Sequence, residues 1–511
     1  MSPEVDAPPA FLSGETFVEE DHAPPDFRVA AANAVAHICL TTTSGHILVY
    51  APGSGEIATI KTMIQKTCSK LHVSVLFSAM SLESQKEALC STSAEKGKRR
   101  CLIATDIAIR SPADYAIQFV VDTGLRKLSI YNPRLNMHML ETRPITRETA
   151  AQRLCKTPSA GYVCVRLYSE SSYDDMSYDD DSDFLNGPAH REALRLLARD
   201  TTNLAYHAWD ETPHPDTLAR AVQDLVAMDL VDGDGKVTET GKSVNAIIAD
   251  LEWLEPAWGL AIHEAARLGC LQEVIAIAAI CNAKSDIFQD HSGMEKIAGI
   301  VQAKFASGPS DHLALLNAFA HYKRLILQTE EQQVKQVWCK LHTLNLNALE
   351  AVDELVKLLS TRTASLKLST HERLNETVRP PPGLAGRDIN VLQAITRGFC
   401  TQIAFHEGPG DKYRTFETDV NALLHAKSAL VGVRPRWVVY TKLSRRSRRQ
   451  YLDIVSAVDV NWIMNLKNFQ PSALALGREN EIRQPTVNRA LDAARAAAAT
   501  IPTQEDDSAA K

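Results

Sequence analysis

The stretch His46-Ile-Leu-Val-Tyr-Ala-Pro-Gly-Ser-Gly-Glu-Ile57 decides the first reading of this chain. Ile47, Leu48, Val49 and Tyr50 form an uninterrupted apolar run, the mark of a strand buried on both faces. The Pro-Gly-Ser-Gly turn over 52–55 then hands the chain to a helix over Ile57 to Leu71. Outward from this unit the alternation repeats. A helix over 28–41 (RVAAANAVAHICLT) precedes it, and strands follow at Val73 to Phe77, Arg100 to Ala104 and Gln118 to Val121, with a helix over Leu82 to Leu89. Short apolar strands alternating with helices predict a parallel sheet covered by helices.

With 511 residues, 45% of them hydrophobic, the chain is long enough for several domains, each with its own core. The ten cysteines are scattered singly without a C-x-x-C pair, so neither a zinc site nor a disulfide framework is expected. No run approaches the roughly 18 apolar residues of a membrane span, and the opening MSPEVDAPPA lacks a signal-peptide pattern. A nuclear or cytoplasmic protein without a membrane partner is expected. A net charge of -7 leaves room for a local basic patch on a mildly acidic body.

Residues 1–26 are Pro- and acid-rich and predict a flexible tail. The run Ser169 to Phe184 (SESSYDDMSYDDDSDF) carries seven acidic side chains and few apolar ones, which predicts an acidic linker over 169–186. Leu218, Ala221, Val222, Leu225 and Val226 recur at helical spacing, and Asp232-Gly-Asp-Gly235 is a tight turn between short strands, a helix followed by a small wing. Long amphipathic helices are predicted from Trp258 to Leu366, until Arg379-Pro-Pro-Pro-Gly383 breaks the pattern. Beyond it, Phe399 to Phe405, Ala429 to Val431, Arg436 to Leu443 and Gln450 to Val458 predict the strands of a small barrel.

This order of elements resembles the DEAH-box (DEAH/RHA) RNA helicase family from its second RecA-like lobe to its end. The resemblance rests on His46 to Ile57, on Leu76-Phe-Ser-Ala-Met-Ser-Leu-Glu-Ser-Gln85 and on Cys101-Leu-Ile-Ala-Thr-Asp-Ile-Ala-Ile-Arg-Ser111. It extends to Phe119-Val-Val-Asp-Thr-Gly124, and to Tyr131-Asn-Pro133 with Pro144-Ile145, which are similar to the family's projecting β-hairpin. Further on, Pro215 to Ala221 with Leu230 to Gly241 is similar to its winged helix. Leu268 to Ile275 with Asp311 to Asn317 is similar to its ratchet, and Gly398-Phe399, Tyr413-Arg414, His425 to Ser428 and Trp437 to Tyr440 to its OB-fold. The resemblance implies a multidomain α/β plus α plus β protein: a RecA-like lobe over 27–168, the acidic linker, a winged helix over 187–256, a helical ratchet over 257–380, an OB-fold over 381–475 and a tail over 476–511.

Departures from the family pattern shape the functional expectation. The family's first lobe supplies a G-x-x-x-x-G-K-[ST] loop and a D-E-A-H tetrapeptide for ATP and magnesium, and neither occurs in this sequence. Gly53-Ser-Gly55 followed by Lys61-Thr62 has the wrong spacing to cradle a phosphate. Where the family has Q-R-x-G-R-x-G-R, this chain has Gln152-Arg-Leu-Cys-Lys-Thr-Pro-Ser159, so Lys156 and Ser159 stand at the two arginine-finger positions. A finger needs a planar fork of donors, which lysine supplies poorly and serine not at all. The remnants of nucleotide contact implied by the resemblance are Thr105, Asp106, Ser111, Gln152 and Arg153. No cofactor is expected on this chain alone, with ATP and magnesium only if a first lobe is supplied, and no metal site is expected: His263-Glu264 and His371-Glu372 have Arg267 and Asn375 where a second zinc histidine would stand.

The densest basic cluster is Lys442, Arg445, Arg446, Arg448 and Arg449, between two strands of the barrel. It is suited to tracking a single-stranded RNA backbone, or to a solvated hairpin or nuclear-localisation patch. Arg126, Lys127, Arg134 and Arg143 flank the hairpin and are either RNA guides or ordinary surface charge. Trp437, Tyr440 and Phe399 are expected in the core, and Cys155, Cys270 and Cys400 as packing thiols. Together these lead to a helicase-like, ATPase-deficient RNA-binding or adaptor protein. Its expected partners are single-stranded RNA and an activator with a glycine-rich patch or another helicase subunit. The alternative is an ATP-dependent RNA helicase whose first lobe lies outside this sequence or is supplied by another chain.

Overall fold

A computed structural model describes residues 14–18, 26–78, 80, 82–90, 99–110, 117–154, 163–199, 204–289, 295–368, 386–407, 410–446 and 449–470. These fall into two bodies: residues to 130 with 139–186, and residues 131–138 with those from 187 onward.

The first body is a RecA-like α/β lobe. Its strands β1 (Gly14–Phe17), β2 (His46–Tyr50), β3 (His72–Leu76), β4 (Arg100–Ala104), β5 (Ile117–Asp122) and β8 (Val163–Arg166) form one sheet in the order β1-β8-β5-β2-β4-β3, every neighbour parallel. Because successive side chains face opposite ways, Ile47 and Val49 meet Val35, Ile38, Ile57 and Ile60 of α1 (Phe27–Thr41) and α2 (Ser54–Thr67). Leu48 and Tyr50 join Leu102, Val120 and Ala108 on the other face. Ala108 lies on the short α4 (Ile107–Arg110), and α3 (Leu82–Leu89) covers the β3 side. The two-stranded β6 (Leu125–Asn132) and β7 (Met137–Pro144) leave this sheet as a hairpin. Gly124, at φ +70°, makes the turn into it, where a Cβ would come within 2.5 Å of the Tyr168 ring.

Two expectations change here. Within the predicted tail, Gly14–Phe17 is a strand that adds to the sheet edge beside β8, with Glu15 accepting from Arg166 at 2.7 Å. The acid-rich run 169–186 is folded onto the lobe through the short helices α6 (Glu170–Asp174) and α7 (Asp183–Asn186). Its backbone carbonyls at Ser177 and Tyr178 cap the first N–H groups of α5 (Arg147–Leu154), those of Arg147 and Glu148, at 2.9 and 3.1 Å. Asp180 accepts from Arg126 at 2.6 Å and from Thr146 at 2.9 Å. Composition counts carboxylates but not the cations and helix end waiting for them.

The second body opens with α8 (His190–Leu197), α9 (Pro215–Ala227) and α10 (Glu239–Ile248). Between α9 and α10 lies the wing: Val231 bridges Val237, and Asp232 Oδ1 accepts the N–H of Asp234 and Lys236 at 2.9 and 2.8 Å. A helical bundle follows, α11 (Pro256–Leu268), α12 (Leu271–Cys281), α13 (Glu295–Gln302), α14 (Asp311–Gln328), α15 (Gln332–Leu341), α16 (Leu346–Ser365) and α17 (Gly386–Gly398). Its core joins Ala279, Phe319, Tyr322, Cys339, Leu349 and Val352.

A closed five-stranded barrel completes this body: β9 (Ile403–His406), β10 (Lys412–Thr415), β11 (Asn421–Leu424), β12 (Trp437–Arg446) and β13 (Arg449–Ala457), in the order β10-β11-β13-β12-β9. Two of its strands, KYRT and NALL, were not among those expected, and Ala429 to Val431 is a turn, where the Ala429 N–H donates to Asp311 at 2.7 Å. The helix α18 (Val460–Met464) and a 3-10 turn at Lys467–Phe469 are the last described elements. Trp437, Tyr440 and Phe399 are buried, with Phe399 edge-on to Trp258 of α11. Among the described residues no helix is long and apolar enough to cross a membrane.

Candidate nucleic-acid interface

In a parallel α/β sheet, ligands meet the carboxyl ends of the strands. In the first body that edge holds Thr105 and Asp106 after β4, Asp122 ending β5 and Arg166 ending β8. Arg153, brought in by α5, donates to Asp122 Oδ1 at 2.6 Å, to Asp106 Oδ1 at 2.9 Å and to the Leu125 carbonyl at 2.9 Å, with its guanidinium over the Tyr50 ring. It is 1% exposed. Burial opposes its charge, but Asp122 and Asp106 outweigh that and hold the guanidinium protonated. Asp122 also accepts from Tyr168 at 3.0 Å and lies 3.6 Å from Arg166. The guanidinium groups of Arg153 and Arg166 at this edge are thus directed at groups of the lobe itself. Gln152, by contrast, is exposed, and its side chain donates to Glu148 at 2.8 Å. Ser111, Lys156 and Ser159 lie outside the described residues.

The expected cations divide into paired and unpaired sets. Arg126 is mostly buried against Asp180. Lys127 bonds both oxygens of Glu56, at 2.9 and 2.8 Å, across Gly53, where a Cβ would lie 2.7 Å from the Lys127 Nζ. Arg143 pairs with Glu141 at 2.8 Å. Arg134, on the hairpin tip in the second body, is 83% exposed with a 3.3 Å contact to Asp216. Beside it the Tyr131 hydroxyl donates to Asn136 at 2.9 Å, and Asp224 takes His190 and Arg220, each at 2.9 Å. Burial works against the Asp224 charge, but His190 and Arg220 hold its carboxyl below the usual range.

On the barrel the basic cluster lies on strands rather than only between them. Lys442, Arg445 and Arg446 belong to β12 and Arg449 to β13, with Arg445 opposite Gln450 and Arg446 opposite Arg449. Lys442, Arg445 and Arg449 are exposed, and none has an ion-pair partner among the described residues. The alternation Lys442 out, Leu443 in lets Leu443 and Leu452 anchor the hairpin while the cations face solvent. Like charges facing each other across strands are unfavourable, so this hairpin end holds unneutralised positive potential. Burial first, and then the Lys442 charge, push the His138 pKa below its ordinary value. The Arg446 side chain and Arg448 lie outside the described set. Among the described residues there is no cluster of groups able to hold a metal. Cys270 and Cys400 are buried, and burial pushes each thiol up to about 12.

The barrel's fold is matched independently: the family model described as oligonucleotide/oligosaccharide-binding (OB)-fold covers residues 391–468. Over most of its length the chain is similar to curated ATP-dependent RNA helicases. It is 26% identical over 473 residues to the pre-mRNA-splicing factor ATP-dependent RNA helicase prp22 of Schizosaccharomyces pombe, 91% of this chain and 38% of that protein. It is 26% identical over 451 residues to the probable ATP-dependent RNA helicase DHX35 of Homo sapiens, 86% of this chain and 61% of the relative. Against the E. coli DExH-box NTPase HrpB the structure aligns with a TM-score of 0.58 over 89% of this chain and 47% of that one, at 17% identity, a likeness of fold. The chain spans between 38% and 61% of the length of these curated relatives.

Proposed function

Starting from a chain homologous over most of its length to DEAH-box RNA helicases, with elements consistent with their carboxy-terminal half, we propose an RNA-binding, helicase-like protein that engages single-stranded RNA through the β12–β13 hairpin of its barrel. The observation that carries this reading is the set of exposed cations Lys442, Arg445 and Arg449, without ion-pair partners among the described residues. Phosphates replace condensed counterions on such a surface, and each contact steepens the salt dependence of binding. The relatives' names support RNA as the polyanion. A nuclear or cytoplasmic setting in RNA processing, with a glycine-rich activator or helicase subunit as partner, belongs to the same reading.

The second part of the proposal is that this lobe does not support ATP hydrolysis. Its reason is chemical: Arg153 is spent on Asp122 and Asp106, and the finger positions carry Lys156 and Ser159. A lysine or serine there gives up the planar fork that stabilises a transferring phosphoryl group. The alternative, an active helicase completed by a first lobe, predicts RNA-stimulated ATP turnover once that lobe is supplied.

The experiment is titration of fluorescent single-stranded RNA across a salt series, with the chain and its Lys442→Glu/Arg445→Glu/Arg449→Glu variant. The log–log salt slope is expected to flatten by about 2 in the variant, at roughly 0.7 per lost phosphate contact. An unchanged slope and affinity would remove the hairpin from the interface.

A further inference from the structure

The acidic segment contains five serines, at 169, 171, 172, 177 and 182, and the structure separates them. Ser169 is buried, and its hydroxyl bonds those of Ser171 and Ser172 at 2.9 and 2.8 Å. Ser182 is half-buried and its hydroxyl accepts the Leu185 N–H at 3.4 Å. Ser177 differs from all of these. It is exposed, and its hydroxyl makes no hydrogen bond among the described residues. Asp179, Asp180 and Asp181 follow it at the second, third and fourth positions, and Asp174 and Asp175 precede it.

We propose that Ser177 is a phosphorylation site for an acid-directed serine/threonine protein kinase. A kinase with a basic substrate groove gains from every carboxylate it can reach on either side of the acceptor, and it loses with a basic sequence. Asp179 and Asp181 are exposed and have no ion-pair partner among the described residues, whereas Asp180 is held by Arg126 and Thr146. The Ser177 carbonyl accepts the Arg147 N–H at 2.9 Å, so the acceptor is pinned outward on a fixed stretch of backbone. In the transfer the Ser177 Oγ attacks the γ-phosphorus of the kinase's ATP and the new Oγ–P bond forms. The bridging P–O bond to ADP breaks, and the hydroxyl proton passes to the kinase's base. The product adds about -1.5 to -2 of charge on a solvent-exposed side chain, where water and salt screen it from the neighbouring carboxylates.

The test uses the full chain, ATP with magnesium and a purified acid-directed kinase, with mapping of the tryptic peptide Leu167 to Arg191, which contains no internal Lys or Arg. One phosphate is expected on this peptide, lost in Ser177→Ala and kept in Ser171→Ala/Ser172→Ala. The Asp179→Asn/Asp181→Asn variant is expected to slow its incorporation several-fold. Circular dichroism checks that Ser177→Ala is folded. The proposal is overturned if incorporation is unaffected by Ser177→Ala. It is equally overturned if a synthetic peptide of the same span is phosphorylated while the folded chain is not.

Discussion

Asp311 holds Val455: its Oδ2 accepts the Val455 N–H at 2.9 Å while Oδ1 accepts that of Ala429 at 2.7 Å, so one carboxylate opening α14 ties two segments of the barrel to the helical bundle. Val455 follows Ile454, a β-branched residue at φ +54°, where the β12–β13 register passes from Tyr440↔Val455 to Lys442↔Asp453. Left-handed backbone costs such a residue roughly 1–2 kcal/mol, which the bond to Asp311 helps to offset. Burial pushes the Asp311 carboxyl above the usual carboxylate range even though these N–H groups oppose it. Asp311→Ala is therefore expected to cost about 2–4 kcal/mol by leaving two N–H groups unsatisfied, and Asp311→Asn, which keeps one acceptor, clearly less. Urea unfolding of the two variants checks the order.

The next residue makes stability depend on pH. His312 is fully buried, bonded through Nδ1 to Ser456 at 2.7 Å, and burial lowers its pKa to about 3 from an ordinary 6.5. The unfolded chain therefore takes up this proton first as pH falls. The contribution is full above about pH 6.5 and is lost by about 1.4 kcal/mol per pH unit below it, down toward about pH 3. In His312→Gln, denaturation midpoints followed from about pH 7 to pH 5 should show a slope smaller by one proton.

Arg153 sits where the resemblance puts a nucleotide contact, but its bonds are structural. Removing it takes the nearest cation from Asp122, which is wholly buried and keeps only Tyr168, the Gly124 N–H and the more distant Arg166 among the described residues. Arg153→Ala is expected to destabilise the lobe by roughly 3–5 kcal/mol, with Arg153→Lys intermediate because one ammonium cannot span Asp122, Asp106 and the Leu125 carbonyl. Chemical denaturation of the variants measures this, and wild-type stability in Arg153→Ala would refute it.

The paired cations should behave unlike the unpaired ones. Arg126→Ala and Lys127→Ala break bonds to Asp180 and Glu56 and are expected to lower the melting temperature with little change in the salt slope of RNA binding. The barrel variant is expected to do the reverse. A flattened slope in Arg126→Ala or Lys127→Ala would move the interface to the lobe.

Much of the scaffold was legible where apolar spacing is dense. Leu82 to Leu89 and Arg100 to Ala104 are found with the expected ends, since each is bounded by polar residues and filled by a period the neighbours reinforce. Gly14–Phe17 was not legible, because four residues among prolines and acids become a strand only when β8 supplies the partner. Lys412–Thr415 was hidden for a similar reason: only Tyr413 and Thr415 turn inward, too few for an alternation to register. At the candidate site, charge density located the β12–β13 cations, but no local pattern reveals that Lys127 would meet Glu56 or that Arg126 would meet Asp180, contacts made across 71 and 54 positions.

The pairing of β12 has one more consequence. Its outer edge pairs with β9 at Trp437 to Val439, so among the described strands β13 alone borders it from Lys442 to Arg446. An open strand edge is a template for another molecule's backbone, and charged side chains are the usual guard against such stacking. The cations of this edge are therefore expected to keep copies of the protein apart in solution. Neutral replacements there would invite edge-to-edge aggregation, where acidic ones would not.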